Sequence, residues 1–198
     1  MITYLHFLRH GEVAGGPILR GVTDDPVTEQ GLKQMANAVN ESTFDVIVSS
    51  PMIRCLQFAN EYAHHHSLPL IIDNGLQEIN FGDWEGQPYD TLFSEINSPA
   101  EQYFSRPYSH FIPNGERTSD FDARVWSAVT KQVIADQGHR ILFVTHAGVM
   151  RSILTKTISS HLVNTKDSYL PVKIGHGSRL LFECFSSDDN QLTLTLSL

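Results

Sequence analysis

Short apolar, β-rich runs alternate with amphipathic helical patterns along most of this chain, and that alternation constrains the fold more than any other feature. The runs lie at Ile2–Leu8, Phe44–Val48, Leu68–Ile72, Arg140–Val144, Leu180–Phe185 and Leu192–Leu196. Between them, Leu32, Met35, Ala36 and Val39 recur at i, i+3, i+4 and i+7, one face of a helix. Thr28 is its expected N-cap, with Glu29 in the first turn. A second helix is expected to open at Ser50-Pro51, with Ser as cap and Pro at the first helical position. A third spans about Ser119 to Gln137, with Phe121, Val125, Val129 and Val133 on one face and Gly138 as its stop. A fourth follows His146, carrying Val149, Ile153, Leu154 and Ile158. Such alternation predicts a largely parallel sheet covered on both faces. The last two runs, joined by Ser186-Ser-Asp-Asp-Asn190, predict an antiparallel hairpin at an edge. The segment from Gly82 to Asn114 holds four prolines and several aromatics with weak periodicity, so it reads as an irregular excursion walling the site.

With 198 residues the chain is expected to form one domain, 1–198, with a core of its own. A hydrophobic content of 41% argues against disorder. The net charge of -8 argues against nucleic acid as a partner, although local arginines still allow an anionic substrate. No apolar run approaches the roughly 20 residues of a membrane helix, so no membrane partner is expected. The first ten residues lack the basic region and cleavage site of a signal peptide. Cys55 and Cys184 make no disulfide framework or zinc spacing, and a reducing cytoplasm is the expected location. His64-His65-His66 point in different directions on a helix and read as a solvated helix end, so no metal is expected there.

The chemistry-bearing residues sit at the ends of two apolar runs. Arg9-His10-Gly11-Glu12 follows the first, and Thr145-His146-Ala147-Gly148 follows the fourth. Carboxyl ends of strands are where open α/β sheets bind ligands. Two histidines in that setting point to phosphoryl transfer through a histidine. Such transfer needs fixed cations on the phosphate oxygens, an in-line nucleophile and an acid for the leaving oxygen. Arg9 and Arg54 are the natural clamps, since a guanidinium binds phosphate oxygens in pairs. Arg54 falls in the first turn of the second helix, whose N-terminus also favours an anion. His10 is the expected nucleophile, and nearby arginines favour its neutral form. His146 stabilises the transferring group. Glu78 is the preferred acid, with Glu12 and Asp83 left open as rivals. Cys55, beside Arg54, is a candidate for a lowered pKa, without a nucleophilic role. His176 reads as a turn residue and Cys184 as core.

Four blocks, Arg9-His-Gly-Glu12, Ser49-Ser-Pro-Met-Ile-Arg54, Leu76-Gln-Glu78 with Phe81-Gly-Asp-Trp-Glu-Gly86, and Thr145-His-Ala-Gly148, together resemble the motif blocks of the histidine phosphatase (phosphoglycerate-mutase-like) superfamily. They stand in the family's order over about residues 4 to 155. The resemblance implies a three-layer α/β/α sandwich, a phosphohistidine on His10, phosphate binding by Arg9, Arg54 and His146, proton donation by Glu78, and no metal or cofactor. Phe81-Gly-Asp-Trp-Glu85 and Ile112-Pro-Asn-Gly-Glu116 are most similar to the alpha-ribazole phosphatase branch. That implies a small-molecule substrate, alpha-ribazole 5′-phosphate, in assembly of the cobalamin nucleotide loop. Broad small-molecule or sugar-bisphosphate hydrolysis is the alternative within the class, and a non-catalytic phospholigand-binding module the alternative outside it. Of the basic residues, the 82–114 segment holds Arg106 alone, with Arg117 just beyond, which favours hydrolysis over a mutase reaction. Val13 and Gly16 depart from the family pattern. So does Arg20, expected with Gly21 at the substrate, where it meets a second anionic group.

Overall fold

The computed structural model describes residues 1–159, 169–187 and 191–197. Among them are six strands: β1 (Ile2–Arg9), β2 (Val46–Ser49), β3 (Leu70–Ile72), β4 (Arg140–Thr145), β5 (Arg179–Ser186) and β6 (Leu192–Ser197). The α-helices are α1 (Glu29–Val39), α2 (Ile53–His66), α3 (Tyr89–Leu92), α4 (Pro99–Ser105), α5 (Thr118–Ala135) and α6 (Ala147–Ser159). The sheet runs β3-β2-β4-β1-β5-β6. Its first four strands pair in parallel, and β5 and β6 complete it antiparallel. The expected hairpin therefore forms, although its residues 188–190 lie outside the described residues.

Two apolar cores explain the helices on both faces. On one face α1 and α2 bury Met35, Val39, Phe58 and Ala59 against Leu8, Ile47 and Val144. On the other, α5 and α6 bury Phe121, Val125, Val129, Met150 and Ile153 against Leu5, Phe7, Phe143 and Phe182. Adjacent β1 and β4 align Phe7 with Phe143, and their rings stack at 4.7 Å. Strands buried on both faces give continuous apolar runs rather than alternation.

Three expectations are corrected. α2 opens at Ile53, not at Ser50-Pro51. Its N-cap is Met52, whose side chain makes no capping bond, and Asp24 accepts from the Ile53 N–H instead. The excursion is less irregular than expected: it carries a 3₁₀ turn at Gly82–Trp84 and the helices α3 and α4. The third helix begins at Thr118 and ends at Ala135, with Gly138 at φ 83° after it. Thr28 caps α1 as expected, accepting from the Gly31 N–H. His64, His65 and His66 form the exposed last turn of α2.

Candidate active site

The strand order sets the carboxyl ends of β2, β4 and β1 side by side, so residues far apart in sequence meet there. Arg9 lies opposite Thr145 and Ser49 opposite Val144. The His10 N–H donates to the Thr145 carbonyl and the Ser50 N–H to that of Val144. Gly11 then passes against α1: a Cβ on it would stand 2.0 Å from the Gly31 carbonyl oxygen. That close approach requires glycine and fixes the turn directly after His10.

His10 is 6% exposed. Its Nδ1 lies 2.8 Å from the Gly11 carbonyl oxygen. A carbonyl only accepts, so Nδ1 carries the proton and Nε2 holds the free lone pair. Burial first, then the cations Arg54 and Arg9, hold His10 well below the ordinary histidine pKa, so the ring is neutral. The His146 ring stands 5.3 Å from it and the His176 ring 5.5 Å. His176 sits in the turn the sequence indicates, but that turn is part of the site. Burial, then Arg9 and Arg20, lower its pKa to about 4.

Arg54 and His146 are 1% and 0% exposed. Neither is among the residues that line the cavity in front of His10. Arg54 Nε donates to His146 Nδ1 at 3.3 Å, which leaves the His146 proton on Nε2, donated to Ser50 Oγ at 2.8 Å. The terminal nitrogens of Arg54 donate to the carbonyls of Thr23 and Gly21. Its charge also faces the Asp24 carboxylate at 3.5 Å. The anion at the start of α2 is thus Asp24. Burial and Arg54 lower the His146 pKa well below its ordinary value. Cys55 departs from expectation: burial raises its pKa despite Arg54 beside it. Cys184 is buried core, as expected.

Glu78 lines the same cavity as His10 and Arg9. One carboxylate oxygen accepts from the Gly148 N–H at 2.9 Å, the other from the Ile79 N–H. A Cβ on Gly148 would stand 2.1 Å from that carboxylate, so only glycine at the start of α6 leaves it in place. Arg124 secures the backbone beneath, donating to the carbonyls of Gly75, Gln77 and Glu78 while gripping Glu116 with two nitrogens. Of the rival acids, Glu12 also lines the cavity, whereas Asp83 is exposed and accepts from Asn114.

The cavity measures about 1450 Å³. Its apolar wall comes from Phe81 and from the excursion's Tyr89, Phe93, Tyr103 and Phe104. Trp84 packs into the core instead. Arg9 reaches the Ile174 carbonyl with one terminal nitrogen. Arg20 lines the cavity, but its donors go to Asp25 and to the carbonyls of Ala14, Gly16 and Ile18. Gly21 serves through its backbone, accepting from Arg54 and donating to Glu85. Asp122 on α5 accepts hydroxyls from Tyr108, Ser152 and Tyr169, tying the excursion, α6 and the segment after it together beside the cavity. Sequence reasoning missed Glu85, Arg124, Arg151 and His176. For Arg151 a signal was present, because it follows Ala147 by four residues on one helix face.

Neutral histidines and arginines gathered near adjacent strand ends, with a carboxyl lining the same cavity as His10 and Arg9, define a site suited to phosphoryl transfer. The model of the histidine phosphatase superfamily (branch 1) matches residues 5–172, and the chain belongs to that family of enzymes. A curated relative, the probable phosphoglycerate mutase GpmB of Yersinia pestis (strain Pestoides F), is 28% identical over 156 residues, 76% of this chain and 73% of that one. The mycobacterial glucosyl-3-phosphoglycerate phosphatase superposes with a TM-score of 0.83 at 20% identity, covering 100% of this chain and 98% of the other. The alpha-ribazole phosphatase from Shigella flexneri gives 0.72 at 24% identity, covering 98% and 95%. At these identities the two structures establish a shared fold.

Proposed function

We propose that the protein hydrolyses small-molecule phosphomonoesters through a phosphohistidine on His10. The observation that carries this reading is the His10 tautomer: Nδ1–H is tied to Gly11, and Nε2 keeps its lone pair on the wall of the cavity. Nε2 attacks phosphorus, the N–P bond forms, and the bond to the ester oxygen breaks. Glu78 donates its proton to that departing oxygen. Water then attacks phosphorus, its proton passes to the Glu78 carboxylate, and the N–P bond breaks to release phosphate and restore His10. Arg9, Arg54 and His146 stabilise the charge on the transferring group. No step calls on a metal or a cofactor.

Alpha-ribazole 5′-phosphate is the substrate we propose, in cobalamin nucleotide-loop assembly in the cytoplasm. The aromatic wall supports it, since stacked rings and apolar surface suit a flat aromatic leaving group. The fold shared with the Shigella flexneri enzyme agrees with it. The test is steady-state phosphate release from a panel of phosphomonoesters with EDTA present. Turnover with alpha-ribazole 5′-phosphate ahead by orders of magnitude in kcat/KM supports the whole reading. Comparable slow rates across the panel withdraw the substrate and keep the mechanism. Phosphate binding without turnover makes the protein a phospholigand-binding module.

A further inference from the structure

Two walls of the cavity have no strand ladder to hold them. Residues 169–176 carry no helix or strand, yet each of them lines the cavity. Their far end sets the Ile174 carbonyl against Arg9 and the His176 ring beside His10. The other irregular wall is the end of the excursion, where Ser105 closes α4 and Pro107 follows it, both on the cavity. Segments of this kind open locally at low free-energy cost. What ties them down therefore decides the shape of the space they enclose.

Both are tied to one carboxylate. Asp122 stands on α5 directly after Phe121, which lines the cavity. One Asp122 oxygen accepts the Tyr108 hydroxyl, and the other accepts the hydroxyls of Tyr169, at 2.8 Å, and of Ser152 on α6. Tyr108 comes directly after Pro107, and Tyr169 opens the second wall. Their rings stand 5.7 Å apart, so the two walls meet at this point. Neutral bonds support each side: Thr118 Oγ1 donates to the Pro107 carbonyl, and the Leu170 N–H to Thr155 Oγ1. Burial first, then Asp122, raise the pKa of Tyr108 and of Tyr169, so both hydroxyls keep their protons and donate. Hydrogen bonds to a carboxylate are roughly twice as strong as neutral ones. Asp122 is not among the residues that line the cavity, so it acts on a substrate only through the walls its tyrosines carry.

We propose that Asp122 is a positioning residue for the leaving group: with Tyr108 and Tyr169 it clasps the two irregular walls together and sets the width of the slot in which that group lies. This rests on the phosphatase reading and goes beyond it, because it places leaving-group selection on a residue that touches neither the phosphate nor the leaving group.

The test compares the wild type with Asp122→Asn, Tyr108→Phe and Tyr169→Phe, with EDTA present. 4-Methylumbelliferyl phosphate, whose leaving group is two fused rings, reads the walls. Inorganic phosphate, as a competitive inhibitor, reads the phosphate site alone. For Asp122→Asn, kcat/KM should fall about tenfold, while kcat stays within about twofold and the inhibition constant of phosphate holds. Tyr108→Phe and Tyr169→Phe should each lower kcat/KM about threefold, the scale of one hydrogen bond. Both keep their rings in place, so they decide the matter if Asp122→Asn does not fold. An unchanged kcat/KM, or a phosphate inhibition constant that rises by the same factor as kcat/KM falls, overturns the proposal. Absence of wild-type turnover overturns the phosphatase reading instead, and the ratio of calorimetric Kd values for the two ligands in the same variants then decides the clasp by itself.

Discussion

Glu85 and Arg54 hold opposite edges of one turn. The Glu85 carboxylate accepts the N–H groups of Gly21, Val22 and Thr23, with those of Phe81 and the Thr23 hydroxyl. Arg54 donates to the carbonyls of Gly21 and Thr23 from the other side. The turn thus fixes the guanidinium that in turn holds His146. Burial raises the Glu85 pKa, but the hydrogen bonds outweigh it and the net shift is downward. A depressed carboxyl contributes stability above its unfolded value of about 4.5, lost as pH falls through the folded value. Glu85→Gln turns an amide against backbone donors and should cost about 2–3 kcal/mol. Thermal unfolding from pH 7 to pH 3 should show a shallower acid slope in the variant. Equal slopes contradict this role.

Glu78→Gln should separate good leaving groups from poor ones. An alkyl phosphate needs its oxygen protonated, so kcat/KM should fall by roughly 10²–10⁴. p-Nitrophenolate leaves without a proton, and kcat/KM for that substrate should fall far less. An equal loss on both would argue against Glu78 as the donor.

Gly148→Ala should damage activity while sparing the fold. The added Cβ meets the end of the flexible Glu78 side chain, which can swing away. Unfolding should shift by less than about 1 kcal/mol, while kcat on an alkyl phosphate should drop at least about tenfold. A fully active variant would mean that this Glu78 position is not the working one.

His6 should make the fold acid-sensitive. It is 2% exposed on β1, beside Phe44, and neither ring nitrogen has a hydrogen-bond partner among the described residues. Burial first, then Arg179 and Arg140, lower its pKa to about 4. The unfolded chain takes up this proton below about 6.5 and the folded one only near 4, so stability falls as pH drops through that window. Between pH 6.5 and pH 5 the share due to His6 is about 2 kcal/mol. Denaturant titrations of His6→Leu should show that much less loss over the same interval, and an unchanged loss would exclude His6 as the cause.

The residues easiest to read from the sequence stand at strand ends, where an apolar run stops at a charged or imidazole side chain and a glycine. His10, Arg9 and His146 share that pattern, and Thr28 announces α1 through a local cap. The start of α2 was hidden because Asp24, from a distant loop, supplies the cap. Ser98-Pro99 followed by Glu101 was a readable helix start: Ser98 accepts from the Glu101 N–H, and Glu101 accepts from that of Asn97. Glu85 could not be read, since its five donors gather only when two loops close. Arg124 and His176 likewise acquire their roles from contacts more than 40 residues away in sequence.

The central claim is a covalent bond between phosphorus and His10. The direct measurement is rapid acid-free quenching of the enzyme with a ³²P-labelled phosphomonoester, followed by peptide mapping. The account predicts label stable to base and labile to acid, confined to the peptide containing His10 and absent from His10→Ala. Steady turnover with no labelled enzyme at any quench time, or label on any other residue, would contradict it.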